Sequence, residues 1–325
     1  MKFKRIYIIP IVLVLACIAV IIALPRKAKG SGKFSVVTTI FPIYDWAREV
    51  ANGNDNIELT MLLNNGSDLH SFQPSVKDIA KIASADVFIY VGGESDEWVD
   101  DALKSVKNKE IKSINLMEFL SSRILEEEVK EGMQVEEEDE GEEEEEEIEY
   151  DEHIWLSVKN AALCVQEISS AFSSADKDNS SLYDSNAKSY VQKLMELDSQ
   201  YSDAVKNARN KTLVFADRFP FRYLVQDYGL DYYAAFVGCS AETEASFQTV
   251  RFLVDKIDEL DLNSVFVIES SDKKIANTVI KNSIKHDRKI VVLDSMQSIS
   301  KKDIDEGKKY LDIMQSNLVQ LKKGF

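Results

Sequence analysis

The chain has 325 residues, 45% of them hydrophobic, which is enough apolar material for two domains of ordinary size. Its formal net charge of −17 excludes a nucleic-acid footprint, which would need a basic face. The acidity is local: Glu126 to Glu152 holds 18 acids and one Lys, leaving 38 acids against 38 bases elsewhere. Cys17, Cys164 and Cys239 are too few for a disulfide scaffold and lack zinc-finger spacing, although Cys164 and Cys239 could pair in an oxidising compartment.

Three cations, Lys2, Lys4 and Arg5, precede an apolar run from Ile6 to Leu24. As a helix at about 1.5 Å per residue, that run would span roughly 28 Å, close to a bilayer core. It reads as an uncleaved anchor helix. The alternative is a lipid anchor, because Val14-Leu15-Ala16-Cys17 resembles a lipoprotein cleavage box with Cys17 as the lipidated residue. Either would leave the rest of the chain tethered outside the cytoplasm, with residues 1–33 serving as anchor and tether.

From Phe34 strands and helices alternate. Strands are expected at Phe34–Thr39, Ile57–Leu63, Asp86–Val91 and Ser113–Leu116. Helices are expected at Ile40–Asn52, from Ser75 as N-cap to Ser84, and at Asp96–Val106. The run Glu126–Glu152 repels itself and has little to bury, so it is expected to be a solvated loop. Ser157 then opens a helix to about Ser174. Apolar residues from Tyr183 to Ala208 recur at three- and four-residue steps, which predicts one long helix. Strands resume at Thr212–Ala216, Asp231–Ala235, Ser264–Ile268 and Lys289–Leu293, before a last helix from Lys308 to Lys322. The expected fold is α/β: lobes at 34–175 and 211–325, each with a parallel-type sheet, joined by a rigid helix within 176–210. Ligands of such sheets sit at the carboxyl ends of strands, which places a site in the cleft between the lobes.

Few residues could carry chemistry there. His70 lies in the loop after the second strand, and His153 follows the acidic run. The third histidine, His286, sits beside Asp287 and Arg288 and reads as solvated surface. Glu269 ends the strand Ser264–Ile268 in the other lobe. A carboxylate there either reaches the cleft or stabilises the start of the following helix. Two imidazoles and a carboxylate from separate loops suit a zinc-type site.

Three motifs carry a family resemblance. They are Phe41-Pro42, Gly66-x-Asp68-x-His70-x-Phe72-x-Pro74 and Asp151-x-His153-x-Trp155-Leu156-Ser157-x-Lys159-Asn160. With Asp227-Tyr228-Gly229-Leu230, Glu269 and the tail Tyr310 to Lys322, the chain from Phe34 to Phe325 resembles the substrate-binding proteins of zinc and manganese ABC importers (ZnuA- or TroA-like). The resemblance implies His70, His153 and Glu269 as ligands of Zn²⁺, or alternatively Mn²⁺. It also implies a monomeric, membrane-tethered receptor that hands metal to a permease driven by a separate ATPase and performs no catalysis.

The chain departs from the family where a third histidine or a glutamate is usual, because that position falls on Arg218. Arginine cannot ligate a metal. Asp217 could supply the missing ligand, water could complete the set, or Arg218 could fill the space and pair with Glu269. Cys239 is a softer candidate ligand. The rival readings are a metal-free surface interaction protein on the same fold, with the acidic loop binding a cationic partner, and a metal-dependent hydrolase.

Overall fold

The computed structural model describes residues 32–66, 68–106, 108, 110–134, 148–238, 240 and 244–325. The expected anchor segment, Cys17, Cys239 and the middle of the acidic run lie outside the described residues.

Short runs rich in Val, Ile and Phe build two parallel sheets. The first contains β1 (Phe34–Thr38), β2 (Ile57–Met61), β3 (Val87–Tyr90) and β4 (Lys112–Asn115), in the order β2-β1-β3-β4. The second contains β5 (Thr212–Phe219), β6 (Asp231–Val237), β7 (Ser264–Ile268) and β8 (Lys289–Leu293), in the order β6-β5-β7-β8. Every residue of β3 and β7 is buried, as expected of strands covered by helices on both faces. Each sheet reverses its winding once, at β1/β3 and at β5/β7, which opens a crevice at the carboxyl ends of the strands.

The predicted helices are present, with ends set by local chemistry. Ser75 caps Val76–Ser84 through a capping box with Asp78, and Ser157 caps Val158–Ala175. The long helix runs from Ser180 to Lys206, 27 residues or about 40 Å at the usual rise. Its buried stripe is Tyr183, Ala187, Tyr190, Leu194, Leu197, Tyr201 and Val205. Among the described residues no helix is long and apolar enough to cross a membrane.

Phe34–Phe325 forms one compact unit, and buried side chains tie its two sheets together. The Trp155 Nε1–H donates to the Ser295 carbonyl at 2.8 Å, and the Tyr310 hydroxyl donates to the Trp155 carbonyl at 2.7 Å. The Tyr310 N–H donates to Asp45, and the Tyr201 hydroxyl to the Met314 carbonyl. Trp155, Tyr201 and Tyr310 are all essentially inaccessible.

Two expectations need correction. Strand β5 runs on to Phe219, past a register shift between Phe215 and Arg218. Asp217 and Arg218 therefore stand on an irregular strand end. The ends of the acidic run stay exposed or half-buried as far as Tyr150, largely as expected, but they also make fixed contacts. Glu126 bridges Tyr150, Gln134 bridges Phe236 on the edge strand β6, and the Gln134 N–H donates to the Ala235 carbonyl at 2.9 Å. Lys130 pairs with Asp231, and Glu128 accepts from the Tyr232 hydroxyl at 3.0 Å. Asp151 and Glu152 are buried, each 2% exposed. Charge repulsion within the run is offset where Glu128 meets the Arg222 guanidinium and the Tyr232 hydroxyl of the second lobe.

Burial raises several carboxylic acids. Asp96 is pushed up to about 7, chiefly by desolvation and further by the neighbouring Glu152 carboxylate, although the Val91 and Gly92 N–H groups donate to it. The native state therefore keeps a proton that the unfolded chain releases near pH 4, and this contribution to stability is lost as pH rises toward 7. The difference in melting temperature between Asp96→Asn and the parent should accordingly be more favourable to the variant at pH 8 than at pH 5. Equal differences at the two pH values would contradict a buried, proton-holding Asp96.

Candidate metal site

His70 and His153 are each held by an acid close in sequence. Asp68 Oδ1 accepts the His70 N–H at 3.2 Å and caps the single turn Leu69–Ser71. Asp151 Oδ1 accepts the His153 N–H at 2.8 Å, and His153 leads into the turn Ile154–Leu156, which plants Trp155 in the core. Although 83 residues apart in sequence, the rings meet with Nε2 atoms 3.3 Å apart. His153 is wholly buried and the His70 side chain 16% exposed. Space is made by glycines: a Cβ on Gly238 would stand 3.0 Å from His153 Cε1, and one on Gly93 would stand 2.4 Å from Glu152 Oε1.

The outer faces of both rings meet oxygen. His153 Nδ1 lies 3.1 Å from Asp151 Oδ1. His70 Nδ1 lies 2.8 Å from Ser95 Oγ and 3.6 Å from Glu152 Oε2, an oxygen with no hydrogen-bond partner. Ser95 N–H donates to the other oxygen of Glu152 at 2.8 Å. Carboxylates beside Nδ1 favour the proton there and leave the two neighbouring Nε2 atoms as acceptors. Two acceptors at this distance repel unless a proton or cation lies between them. Burial, then the neighbouring His153, push His70 down to about 4. Burial opposes a charged His153 too, but the carboxylates of Asp151, Glu152 and Asp68 together outweigh it and hold His153 up. Asp151→Asn removes the charge that orients His153, so metal affinity should fall by about 10–100-fold. Titration against a competing chelator checks this, and unchanged affinity would contradict the role.

The second lobe meets the histidines with a different set of side chains. Gln297, after β8, places Nε2 3.1 Å from His153 Nε2 and 3.4 Å from Asp68 Oδ1, while its Oε1 accepts from Ser295 Oγ at 3.0 Å. Its loop includes Met296 at φ 63°, a left-handed conformation that is uncommon for this residue type. Glu269 accepts from Ser295 N–H at 2.7 Å, Ser295 Oγ at 3.0 Å and Ser298 Oγ at 3.1 Å. Its carboxylate therefore grips the loop that carries Gln297. Arg218 pairs not with Glu269 but with Asp68. Both terminal nitrogens stand 3.2 Å from Asp68 Oδ2, and NH1 also donates to the Ser240 carbonyl at 3.3 Å. The reason is local, since Glu269 is occupied within its own lobe whereas Asp68 faces the guanidinium across the cleft. Asp217 accepts the Arg218 N–H through Oδ1 at 2.9 Å, and its Oδ2 is buried without a hydrogen-bond partner.

His70 and His153 are thus brought together. Among the described residues no three His, Cys, Asp or Glu side chains converge tightly enough to enclose an ion. His286 is exposed, and Cys164 is a buried free thiol. Sequence reasoning missed Gln297, Ser95 and the orienting roles of Asp68, Asp151 and Glu152. The acids were signalled by standing within two residues of a histidine. Gln297 was signalled only by its place after a strand of the second sheet.

Residues 36–324 match the family described as zinc-uptake complex component A, periplasmic (ZnuA). The chain is 31% identical over 316 residues to the zinc-binding lipoprotein AdcA of Streptococcus pneumoniae, covering 97% of this chain and 60% of that protein. It therefore spans about three-fifths of that relative's length. It is 32% identical over 314 residues to the high-affinity zinc uptake system protein ZnuA of Bacillus subtilis, covering 94% of each. The fold matches the crystal structure of the Zn(II)-bound ZnuA-like domain of S. pneumoniae AdcA with a TM-score of 0.71 and 28% identity, over 90% of this chain and 99% of that one. With a match that runs from β1 to the last helix, the chain belongs to the family of zinc-uptake complex component A, periplasmic.

Proposed function

We propose that the chain is an extracytoplasmic receptor that captures Zn²⁺ between its lobes and delivers it to the permease of an ABC importer. The observation that carries this reading is the pair of Nε2 atoms 3.3 Å apart. Two nitrogens each about 2.0–2.1 Å from a tetrahedral zinc ion stand about 3.3–3.4 Å apart. The imidazoles are thus already spaced for one ion, and each is backed by a carboxylate that sharpens it as a ligand.

His70 and His153 hold the cargo from the first lobe. From the second lobe Asp217 is the candidate third donor, because its Oδ2 is buried without a hydrogen-bond partner, whereas Glu269 already accepts from Ser295 and Ser298. Water completes the shell. Gln297 now donates to the lone pair of His153 that the ion would use, so it turns aside or presents its carbonyl oxygen on loading. Zinc suits imidazole donors better than manganese does. The chain acts at the outer face of the membrane as a monomer, tethered through the amino-terminal segment by a helix or by a lipid on Cys17.

Calorimetric titration of the full chain with Zn²⁺ tests the reading, with saturation at one ion per chain as the expected result. The Arg218–Asp68 and Gln297–His153 contacts favour a second reading, in which polar groups join the lobes without metal and the chain works as a surface interaction protein. Absence of zinc uptake would support that second reading and sink the first.

A further inference from the structure

Asp68 is a further carboxylate beside the paired imidazoles that is not itself assigned as a ligand. It lies two residues before His70 and is joined through the Gln297 amide to His153 Nε2. Oδ2 takes both terminal nitrogens of Arg218, and Oδ1 takes the His70 N–H and the Gln297 amide. Every acceptor direction is therefore committed, and the formal charge is cancelled by a guanidinium that never deprotonates. Arg218 is itself placed by the register shift of β5 and by the Ser240 carbonyl, so it reaches across the cleft from a fixed strand end.

We infer that Arg218 is a specificity-determining residue: by sequestering Asp68 it keeps an additional carboxylate out of the donor set and so excludes hard divalent cations, such as Mn²⁺, from the zinc site. The chemistry is general. Oxygen-rich, anionic donor sets suit Mn²⁺, Mg²⁺ and Ca²⁺, whereas imidazole suits zinc. A site with two imidazoles and a neutralised Asp68 therefore discriminates by what it withholds. Freed from Arg218, Asp68 would offer an oxygen beside the imidazoles from the same loop as His70. The inference rests on the proposed cargo function and deepens it by naming how the cargo is chosen.

The test compares Zn²⁺ and Mn²⁺ affinities of the full chain by chelator competition, for the parent, Arg218→Ala, Arg218→Met and Arg218→Ala/Asp68→Asn. Arg218→Met keeps the side-chain volume and guards against a folding defect, and Asn at position 68 keeps the cap on the His70 N–H. Manganese affinity should rise roughly tenfold or more in both single variants, zinc affinity should rise less, and the double variant should lose the manganese gain. Simple removal of a positive charge would raise both affinities equally and persist in the double variant, and either result overturns the inference. A parent that binds zinc, with a manganese affinity that neither single variant moves, sinks only the role of Arg218. A parent that binds no zinc, with single variants that gain manganese through Asp68, sinks the cargo reading and leaves that role standing.

Discussion

Replacing His153 by alanine should lower zinc affinity by roughly a hundredfold or more, with His70→Ala close behind. Structural zinc in four-ligand sites is worth about 10–16 kcal/mol, so one ligand carries roughly 3 kcal/mol. Loss of either imidazole also releases the other from the facing pair, so the two single losses should not add in the double variant. His153 is the more costly of the two because it is wholly buried and its removal strands Asp151 and the Gln297 amide. His70 is partly exposed, and water can replace it against Ser95. Titration of the two single variants and the double variant measures these effects. Affinity within about threefold of the parent in either single variant, far short of one ligand's share, would remove that histidine from the site.

Trp155→Ala should cost about 3–5 kcal/mol of unfolding free energy, the usual range for emptying a buried aromatic site. Trp155 is 1% exposed and forms part of the seam between the sheets. Its indole N–H holds the Ser295 carbonyl, and its own carbonyl holds the Tyr310 hydroxyl. The substitution therefore leaves a cavity, orphans the Ser295 carbonyl and loosens the loop that Glu269 also grips through Ser295. Since that loop carries Gln297, zinc affinity should fall along with stability. Trp155→Phe, which keeps most of the volume and loses the N–H, should recover the larger share of the stability and less of the loop's position. Urea unfolding measures the first effect, and a loss below about 1 kcal/mol would show that the seam is held elsewhere.

The architecture was legible because it is written in short-range signals. Apolar runs of strand length, Ser75 and Ser157 as caps, and the three- and four-residue steps from Tyr183 onward each depend on local spacing. The pairing of His70 with His153 was legible at the level of loops, since both lie in loops that follow strands of the first sheet. Side-chain partners were not. Glu269 sits where the sequence places it, at the end of β7, yet its oxygens turn to Ser295 and Ser298, because hydroxyl and N–H donors from a neighbouring loop reach it within its own lobe. The pairing of Arg218 with Asp68 spans 150 residues, and nothing in either local sequence encodes it. The ends of the acidic run escaped notice for a related reason. Composition reports repulsion among neighbours and is silent on Arg222, Tyr232 and the edge of β6, which receive those ends.

X-ray absorption at the zinc edge, on the full chain loaded with one equivalent of Zn²⁺, asks directly whether the two imidazoles share an ion. Two imidazole nitrogens at about 2.0–2.1 Å are expected in the parent, falling to one in His70→Ala. A shell of oxygen alone, unchanged by that substitution, would place the metal on the acidic run and contradict a zinc site between the lobes.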